Sequence, residues 1–398
     1  MFRIWREIGW MEDKKPHREG LDLYLDTCRT RVCDVHGEAE IAVSMLPGTM
    51  QVLEHELPLA IVAGVYTGRA GRQQGQATKL TAQCVAQDAA GGAAVATLGI
   101  FDTGFYDRLG FGSAPGMRVV TIDPRALKVP RAARPPLRFG IEDAEALHAC
   151  RLSRRSVHGQ VQIMDWRNTA YELKSSEETF ILGYRDGPGG TISHFAAINP
   201  EGKGEHGPYW VWKMAWSTRE QFHELLGVFK SLGDQVHGFR MEDPPGISMQ
   251  DLVDRPLAWH RTTRDSAFGK RTLALATSQN RICDLPRCIE AISLPGAALA
   301  FNLRLSDPIE NYLPEDAPWR GVGGDWVVRV DASSIAERGH EKSLPILEAS
   351  VNAFTRLWLG GQQASGLAIS TDLSGPTELI EALDRRYVLP TPCIDWAY

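Results

Sequence analysis

The sequence predicts a mixed α/β chain of several domains, and three stretches carry that prediction. An apolar run at 59–66 passes through a glycine-punctuated turn into an amphipathic helix pattern, with Ala77, Leu80, Cys84 and Val85 on one face. The segment 128–137, Lys-Val-Pro-Arg-Ala-Ala-Arg-Pro-Pro-Leu, is rich in proline and arginine and reads as a solvated connector. Further on, Leu299, Phe301, Leu303 and Leu305 alternate with Ala300, Asn302 and Arg304 as a half-buried strand does, and helix patterns follow. A chain of 398 residues has room for two or three cores. The expected division is 1–130, 131–278 and 279–398.

In the first domain, residues 2–11 read as an amphipathic helix with Ile4, Ile8 and Met11 on one side. Strand-like runs follow near 31–35, 39–46 and 57–66. The turn after the last run holds Arg69, Gly71, Arg72, Gln73, Gly75, Gln76 and Ala77. A strand that delivers such a turn to a helix start makes an anion site, because the first helical N–H groups lack partners and the dipole favours negative charge. Gly71 and Gly75 are expected to let a ligand approach the backbone, with Arg69 and Arg72 supplying charge. The expected guest is a phosphate or pyrophosphate. No Lys-Ser/Thr follows Gly75, and Gly68, Gly71 and Gly75 lack the dinucleotide spacing, so neither common nucleotide loop is present. A strand at 93–101 then leads into Asp102-Thr-Gly-Phe-Tyr106-Asp-Arg-Leu-Gly110-Phe-Gly112.

In the second domain, 209–216 reads as a strand containing Trp210, Trp212 and Trp216, residues expected in the core. Ser217 and Glu220 are placed as a capping box, and Phe222, Leu225, Leu226, Phe229 and Leu232 form a helical stripe behind it. A carboxylate there, without glycines, repels pyrophosphate. In the third domain, 325–330 is a strand, 345–359 a helix stopped at Gly360-Gly361, and 376–387 a further helix; antiparallel strands with helices on one side suit an α+β layer. The tail is braced by Pro390 and Pro392 and carries Cys393, Ile394, Trp396 and Tyr398, all residues that prefer burial.

A formal net charge of −6 argues against nucleic acid and mildly favours cationic acceptors. The seven cysteines lack metal-ligand spacing and read as reduced thiols, and the 11 scattered histidines show no zinc pattern. No apolar run is long enough to span a bilayer, and the first residues lack a signal-peptide core, so the expected location is cytoplasmic with no membrane partner.

The turn Arg72-x-x-Gly75-x-Ala77 resembles the coenzyme A pyrophosphate loop of the GCN5-related N-acetyltransferases (GNAT), and Tyr106-x-x-x-Gly110-Phe111 resembles the tyrosine block after their fifth strand. With Leu357-Trp-Leu-Gly-Gly-Gln-Gln-Ala-Ser365, nearly the whole chain resembles the enhanced-intracellular-survival (Eis) acetyltransferases. That resemblance implies two tandem GNAT (acyl-CoA N-acyltransferase) domains, the second degenerate and without coenzyme, plus a C-terminal domain of sterol-carrier-protein type. It implies acetyl-coenzyme A as cosubstrate and no metal, with pyrophosphate on Arg69, Arg72, Gln73, Gly75, Gln76 and Ala77 and the pantetheine along Val65 and Thr67. Phe101 and Phe105 flank that arm, and Phe101 is a departure from the family that narrows its entry; Arg69 and Ala397 are departures too. Tyr106 is implied as the general acid and the Tyr398 carboxylate as the base. The chain begins short of the usual family start, so the first strand of that fold is expected to be missing. The expected reaction is direct attack of a primary amine on the thioester, with polyamine, aminoglycoside or lysine-like acceptors on small molecules or peptides. A homohexamer is implied. The other reading is a non-catalytic coenzyme A- or lipid-binding sensor. Glu7, Glu12 and Asp13 beside Trp5 and Trp10 offer an amine pocket or, more plainly, solvated surface.

Overall fold

The computed structural model describes residues 1–256, 266–294, 296 and 298–396. The chain opens with α1 (Phe2–Glu7) and α2 (Lys15–Thr27). The first helix stops earlier than its apolar stripe predicts, because Gly9 takes φ 81° just beyond it. The second helix went unread in the sequence: Lys-Pro-His-Arg-Glu-Gly is polar, and only Gly20, Leu21 and Tyr24 are buried. β1 (Arg29–Val35), β2 (Glu38–Val52) and β3 (His55–Thr67) then form an antiparallel meander. They are longer than the apolar runs alone indicate, since their ends are polar. α3 (Gln76–Ala90) crosses to β4 (Val95–Gly99), which pairs with β3 in parallel. α4 (Thr103–Asp107) and the short β5 (Gly112–Ser113) follow.

Next come β6 (Met117–Ile122), β7 (Leu137–Phe139), α5 (Ala144–Leu152), β8 (Val161–Gln162) and α6 (Arg167–Ser175). After them run β9 (Phe180–Tyr184), β10 (His194–Asn199), β11 (Tyr209–Ala215) and α7 (Arg219–Ser231). β12 (Phe239–Glu242), β13 (Thr272–Leu275) and β14 (Ser278–Ile282) complete this part. The first sheet has the order β1-β2-β3-β4-β14-β5, with β8 also on β2; the second has the order β13-β6-β12-β11-β10-β9-β7. Neither sheet is one continuous stretch of chain. β6 leaves the first segment to sit between β12 and β13, and β14 returns to sit between β4 and β5. This exchange was not legible in local patterns.

The third unit contains α8 (Leu285–Glu290), β15 (Leu299–Ser306), β16 (Gly324–Val330), β17 (Ile335–Arg338) and β18 (Ile346–Ser350). It ends with α9 (Val351–Trp358), α10 (Ala364–Ser370) and α11 (Thr377–Arg386). Its four-stranded sheet has the order β17-β16-β15-β18. The single helix expected over 345–359 is a strand followed by a helix. Leu347 and Ala349 alternate inward, and Ser350 caps α9 by accepting from the Ala353 N–H.

Two further expectations change. The capping box of α7 is made by Thr218 and Gln221, one residue later than Ser217 and Glu220; the Ser217 hydroxyl instead donates to the Ser153 carbonyl at 2.9 Å. The proline-rich connector is also not free in solvent. Lys230 Nζ donates to the carbonyls of Leu127 and Val129, each at 2.7 Å, and Arg134 is held by Asp186 and Glu224. One apolar core joins α1 and α2 to the third unit, with Ile4, Trp5, Tyr24, Phe354 and Trp358 in the same cluster. The opposite face of the first sheet packs on α3 and includes Leu80, Cys84, Val85 and Tyr106. All seven cysteines are free thiols. Among the described residues, no helix is long and apolar enough to cross a membrane.

Candidate active site

The site begins where β3 and β4 stop pairing. Their parallel register runs from Leu59↔Val95 to Val62↔Leu98. Immediately afterwards β3 bulges: Ser44 faces Gly64 and Met45 faces Val62, which leaves Ala63 as the extra residue. Val65 and Thr67 still pair with Val43 and Ile41 of β2, but among the described residues no strand pairs with them on the β4 side. Their exposed backbone edge can accept an extended ligand as an added strand.

The loop at the end of β3 brings Arg69, Arg72, Gln73, Gly75, Gln76 and Ala77 to the head of α3. Gly75 is the N-cap of that helix with φ 70°, a left-handed conformation that favours glycine, and no side chain caps the helix. A Cβ there would meet nothing within 4 Å, so the space above the free N–H groups is open. That fits a phosphate group. Gly71 has a different job from the one expected. A Cβ on it would lie 2.9 Å from Ile41 Cγ1, so its lack of a side chain lets the loop pack on β2 rather than admit a ligand. Arg69 is turned to α1, where its N–H donates to Glu7 Oε1 at 2.9 Å and its guanidinium stands 3.4 Å from the same oxygen. Arg72 and Gln73 are exposed, and Gln76 and Ala77 are half-buried.

Tyr106 sits on α4 and is only 5% exposed. Its apolar cluster contains Val62 and Leu98, the last paired residues of β3 and β4, and Val65 packs against the same cluster. Phe105 meets its ring edge-on with centroids 4.9 Å apart. Burial, and then the Asp102 charge, push the Tyr106 hydroxyl up to about 12. It is therefore protonated at neutral pH and can donate. Phe101, just past the end of β4, is 80% exposed.

The tyrosine block is gripped from elsewhere in the chain. Arg281 on β14 donates to the Leu109 carbonyl and, 2.7 Å away, to Asp307. Gln279 Nε2 donates to Asp107 Oδ1 at 2.6 Å, and Asn352 Nδ2 donates to the carbonyls of Asp107 and Phe111 at 2.8 and 2.9 Å. Gly110 has φ 82°, and a Cβ on it would strike Val351 and Arg281. The contacts to the block were invisible in sequence, since Gln279, Arg281 and Asn352 each lie more than 150 residues from it.

On the α1 and α2 side of the bulge lies a cavity of about 320 Å³. Its walls include Ala63 of the bulge and the aromatic rings of Trp5, Trp10, Tyr24, Tyr171 and Trp396, with Asn168 and Glu172 as polar members. Trp5 and Trp10 therefore do line a pocket. Glu7, Glu12 and Asp13 do not: they pair with Arg3 and Arg69, with Lys14, and with Arg6 and Arg18. Tyr24, Tyr171 and Glu172 were missed, because only the packing of α2 on α6 brings them together; the Tyr24 and Tyr171 centroids are 4.9 Å apart. Burial raises the Glu172 carboxyl, but Arg151 and Lys213 outweigh it and hold the group below its ordinary value. The tail expected to be buried is buried: Cys393, Ile394 and Trp396 are 8%, 6% and 3% exposed, and Arg154 clamps Asp395 at 2.7 and 2.9 Å. Tyr398 and Ala397 lie outside the described residues.

Residues 1–114 match the family described as "Acetyltransferase (GNAT) domain". An acetyltransferase domain makes this chain an acyltransferase. No curated protein matches the chain. Solved structures share the fold over nearly its full length. A conserved protein of unknown function from Enterococcus faecalis V583, described as a probable N-acyltransferase, is 18% identical with a TM-score of 0.77, covering 99% of this chain and 95% of that one. A GCN5-related N-acetyltransferase from Anabaena variabilis is 12% identical with a TM-score of 0.75, covering 98% and 95%. Eis1 from Mycobacterium abscessus is 15% identical with a TM-score of 0.72, covering 98% and 99%. The acyltransferase fold is thus a mixed α/β arrangement of tandem GNAT-type units with an added C-terminal unit.

Proposed function

We propose that this acyltransferase moves an acetyl group from acetyl-coenzyme A to a primary amine by direct attack on the thioester. The observation that carries the reading is the bulge at Ala63. It places the unpaired edge of β3, the cluster containing Tyr106 and the aromatic cavity around one point of the sheet. In this reading the pyrophosphate lies on the loop of Arg69, Arg72, Gln73, Gly75, Gln76 and Ala77. The pantetheine follows the backbone of Val65 and Thr67, between Phe101 and Phe105. The amine enters from the aromatic cavity and its nitrogen attacks the carbonyl carbon. The C–S bond breaks, and Tyr106 gives its proton to the departing thiolate. Holding both reactants together removes several kcal/mol of barrier without a covalent enzyme intermediate or a metal.

The cavity favours the acceptor class as well. Aromatic faces attract an ammonium and also cover a methylene stem. Glu172 is already engaged by Arg151 and Lys213, so the rings carry most of the selection. A lysine-like or polyamine acceptor, with its methylene stem along the rings, fits these walls better than the bulky, hydroxyl-rich rings of an aminoglycoside. Trp396 lines the cavity, which supports a role as base for the Tyr398 carboxylate. Adding residues after Tyr398 is expected to suppress turnover, and unchanged rates would remove that role. A coenzyme-free second unit, a sterol-carrier-type third unit, a cytoplasmic setting and a hexamer belong to the same proposal; light scattering tests the assembly.

Free thiol release from acetyl-coenzyme A, measured with and without a panel of primary amines, tests the reaction. Amine-dependent release is the expected result. Coenzyme binding with no release for any amine would favour a binding sensor on the same scaffold.

A further inference from the structure

The second sheet repeats the geometry of the first at the corresponding place. β11 and β12 pair in parallel only from Tyr209↔Phe239 to Val211↔Met241. Just there β11 bulges against β10: Ala197 faces Lys213 and Ile198 faces Val211, so Trp212 is the extra residue, as Ala63 is in β3. Past the bulge lies a separate cavity of about 100 Å³, whose lining includes Arg151, Trp212, Lys213, Glu242 and Asp395. The coenzyme reading of the first sheet makes no use of it.

The polarity of this cavity is one-sided. Arg151 Nη2 and Trp212 Nε1 are buried donors with no hydrogen-bond partner among the described residues, Lys213 Nζ is buried against Glu172, and all three side chains line the cavity. No buried acceptor of its lining is left in that condition. Lys213 and Arg151 each form an ion pair with Glu172, and the Arg151 side chain is 4% exposed. A buried donor without an acceptor is unfavourable. The unpaired guanidinium N–H and indole N–H, beside the Lys213 amine, ask for a compact ligand with several acceptor atoms. The volume is enough for a few water-sized positions. It is too small for a pantetheine arm, and Phe195 and Met214 provide apolar wall for a methyl group.

The negative groups around the cavity are accounted for. Asp395 is clamped by Arg154, and Asp243 faces Arg118 at 3.1 Å. Glu242 has no ion pair among the described residues, and burial followed by the Asp395 charge raises its carboxyl. A raised carboxyl is the more easily neutralised beside a bound anion.

We propose that the opening of the second sheet binds a small monocarboxylate of acetate size, with its oxygens on Arg151, Trp212 and Lys213. The test is calorimetric titration of the full chain with sodium acetate at constant ionic strength, with chloride and inorganic phosphate as comparison probes. Saturable binding of acetate is expected. Trp212→Phe, which removes the N–H together with one of the two fused rings, should weaken it about threefold, and Lys213→Met about tenfold. Affinity for acetyl-coenzyme A should stay unchanged in both, and saturating acetyl-coenzyme A should not displace the acetate. Should Lys213→Met fail to fold, Trp212→Phe decides alone. Absence of binding up to roughly 50 mM, affinity unaffected by Trp212→Phe, or displacement by acetyl-coenzyme A would overturn the site. None of these outcomes depends on whether the enzyme turns over an amine.

Discussion

In the proposed reaction, Tyr106 joins an apolar environment to a role that needs a proton. The same burial that raises its hydroxyl to about 12 keeps it in the donating form across the neutral range. Tyr106→Phe preserves the packing against Phe105 and Phe111 and removes only the donor. We expect turnover to fall about 10²-fold with little change in coenzyme affinity, read by steady-state kinetics beside a binding titration; loss of binding would make the residue structural. Tyr66 and Tyr171 are likewise pushed up to about 12 by burial. Each folded value lies above the unfolded one, so the stability these hydroxyls contribute is whole below pH 10.0 and is lost as pH rises toward about 12. Thermal melts across that window should show a falling midpoint, and a flat midpoint would contradict the burial of these rings.

At the scale of elements, the head of α3 is held open by backbone conformation and not by a cap. Gly75→Ala forces a Cβ into a left-handed residue and should cost about 1 kcal/mol of stability. In the proposed coenzyme loop it should also raise the KM for acetyl-coenzyme A more than it alters kcat. A kcat effect alone would move the pyrophosphate away from this turn. The bulges at Ala63 and Trp212 work at the same scale. Each inserts one residue just where a parallel pair ends, and each releases backbone from the ladder beside a cavity. The first cavity is wide and aromatic, the second small and donor-rich.

The whole molecule is tied together by exchanged strands. β14 sits between β4 and β5 and carries Arg281, which is fully buried against Asp307 of the third unit. This ion pair also fixes the Leu109 carbonyl, close in sequence to Tyr106. Arg281→Met leaves Asp307 charged and without its guanidinium, an uncompensated burial expected to cost about 3–5 kcal/mol. Denaturant unfolding measures that loss. Where folded protein remains, its kcat should fall further than its coenzyme affinity, because the tyrosine block is the part left unsupported. Equal losses in both would mean that Arg281 acts only on stability.

The sequence by itself determined the local chemistry of this chain. The strand, glycine turn and helix at 59–90 were legible because period and turn residues act over a few positions, and the buried tail was legible from Cys393, Ile394 and Trp396. The tyrosine block, which the structure folds as a short helix and turn, was legible as a motif, Tyr106-x-x-x-Gly110-Phe111. It missed α2, whose few buried positions leave no strong stripe, and it merged β18 with α9 because Leu347 and Ala349 fit either period. Only the tertiary structure decided the exchange of β6 and β14, the cavity shared by Trp5, Tyr24, Tyr171 and Trp396, and the hold of Arg281 and Asn352 on the tyrosine block. Local patterns record which face of an element is apolar. They do not record which distant element covers it, since any complementary apolar face removes the same surface from water.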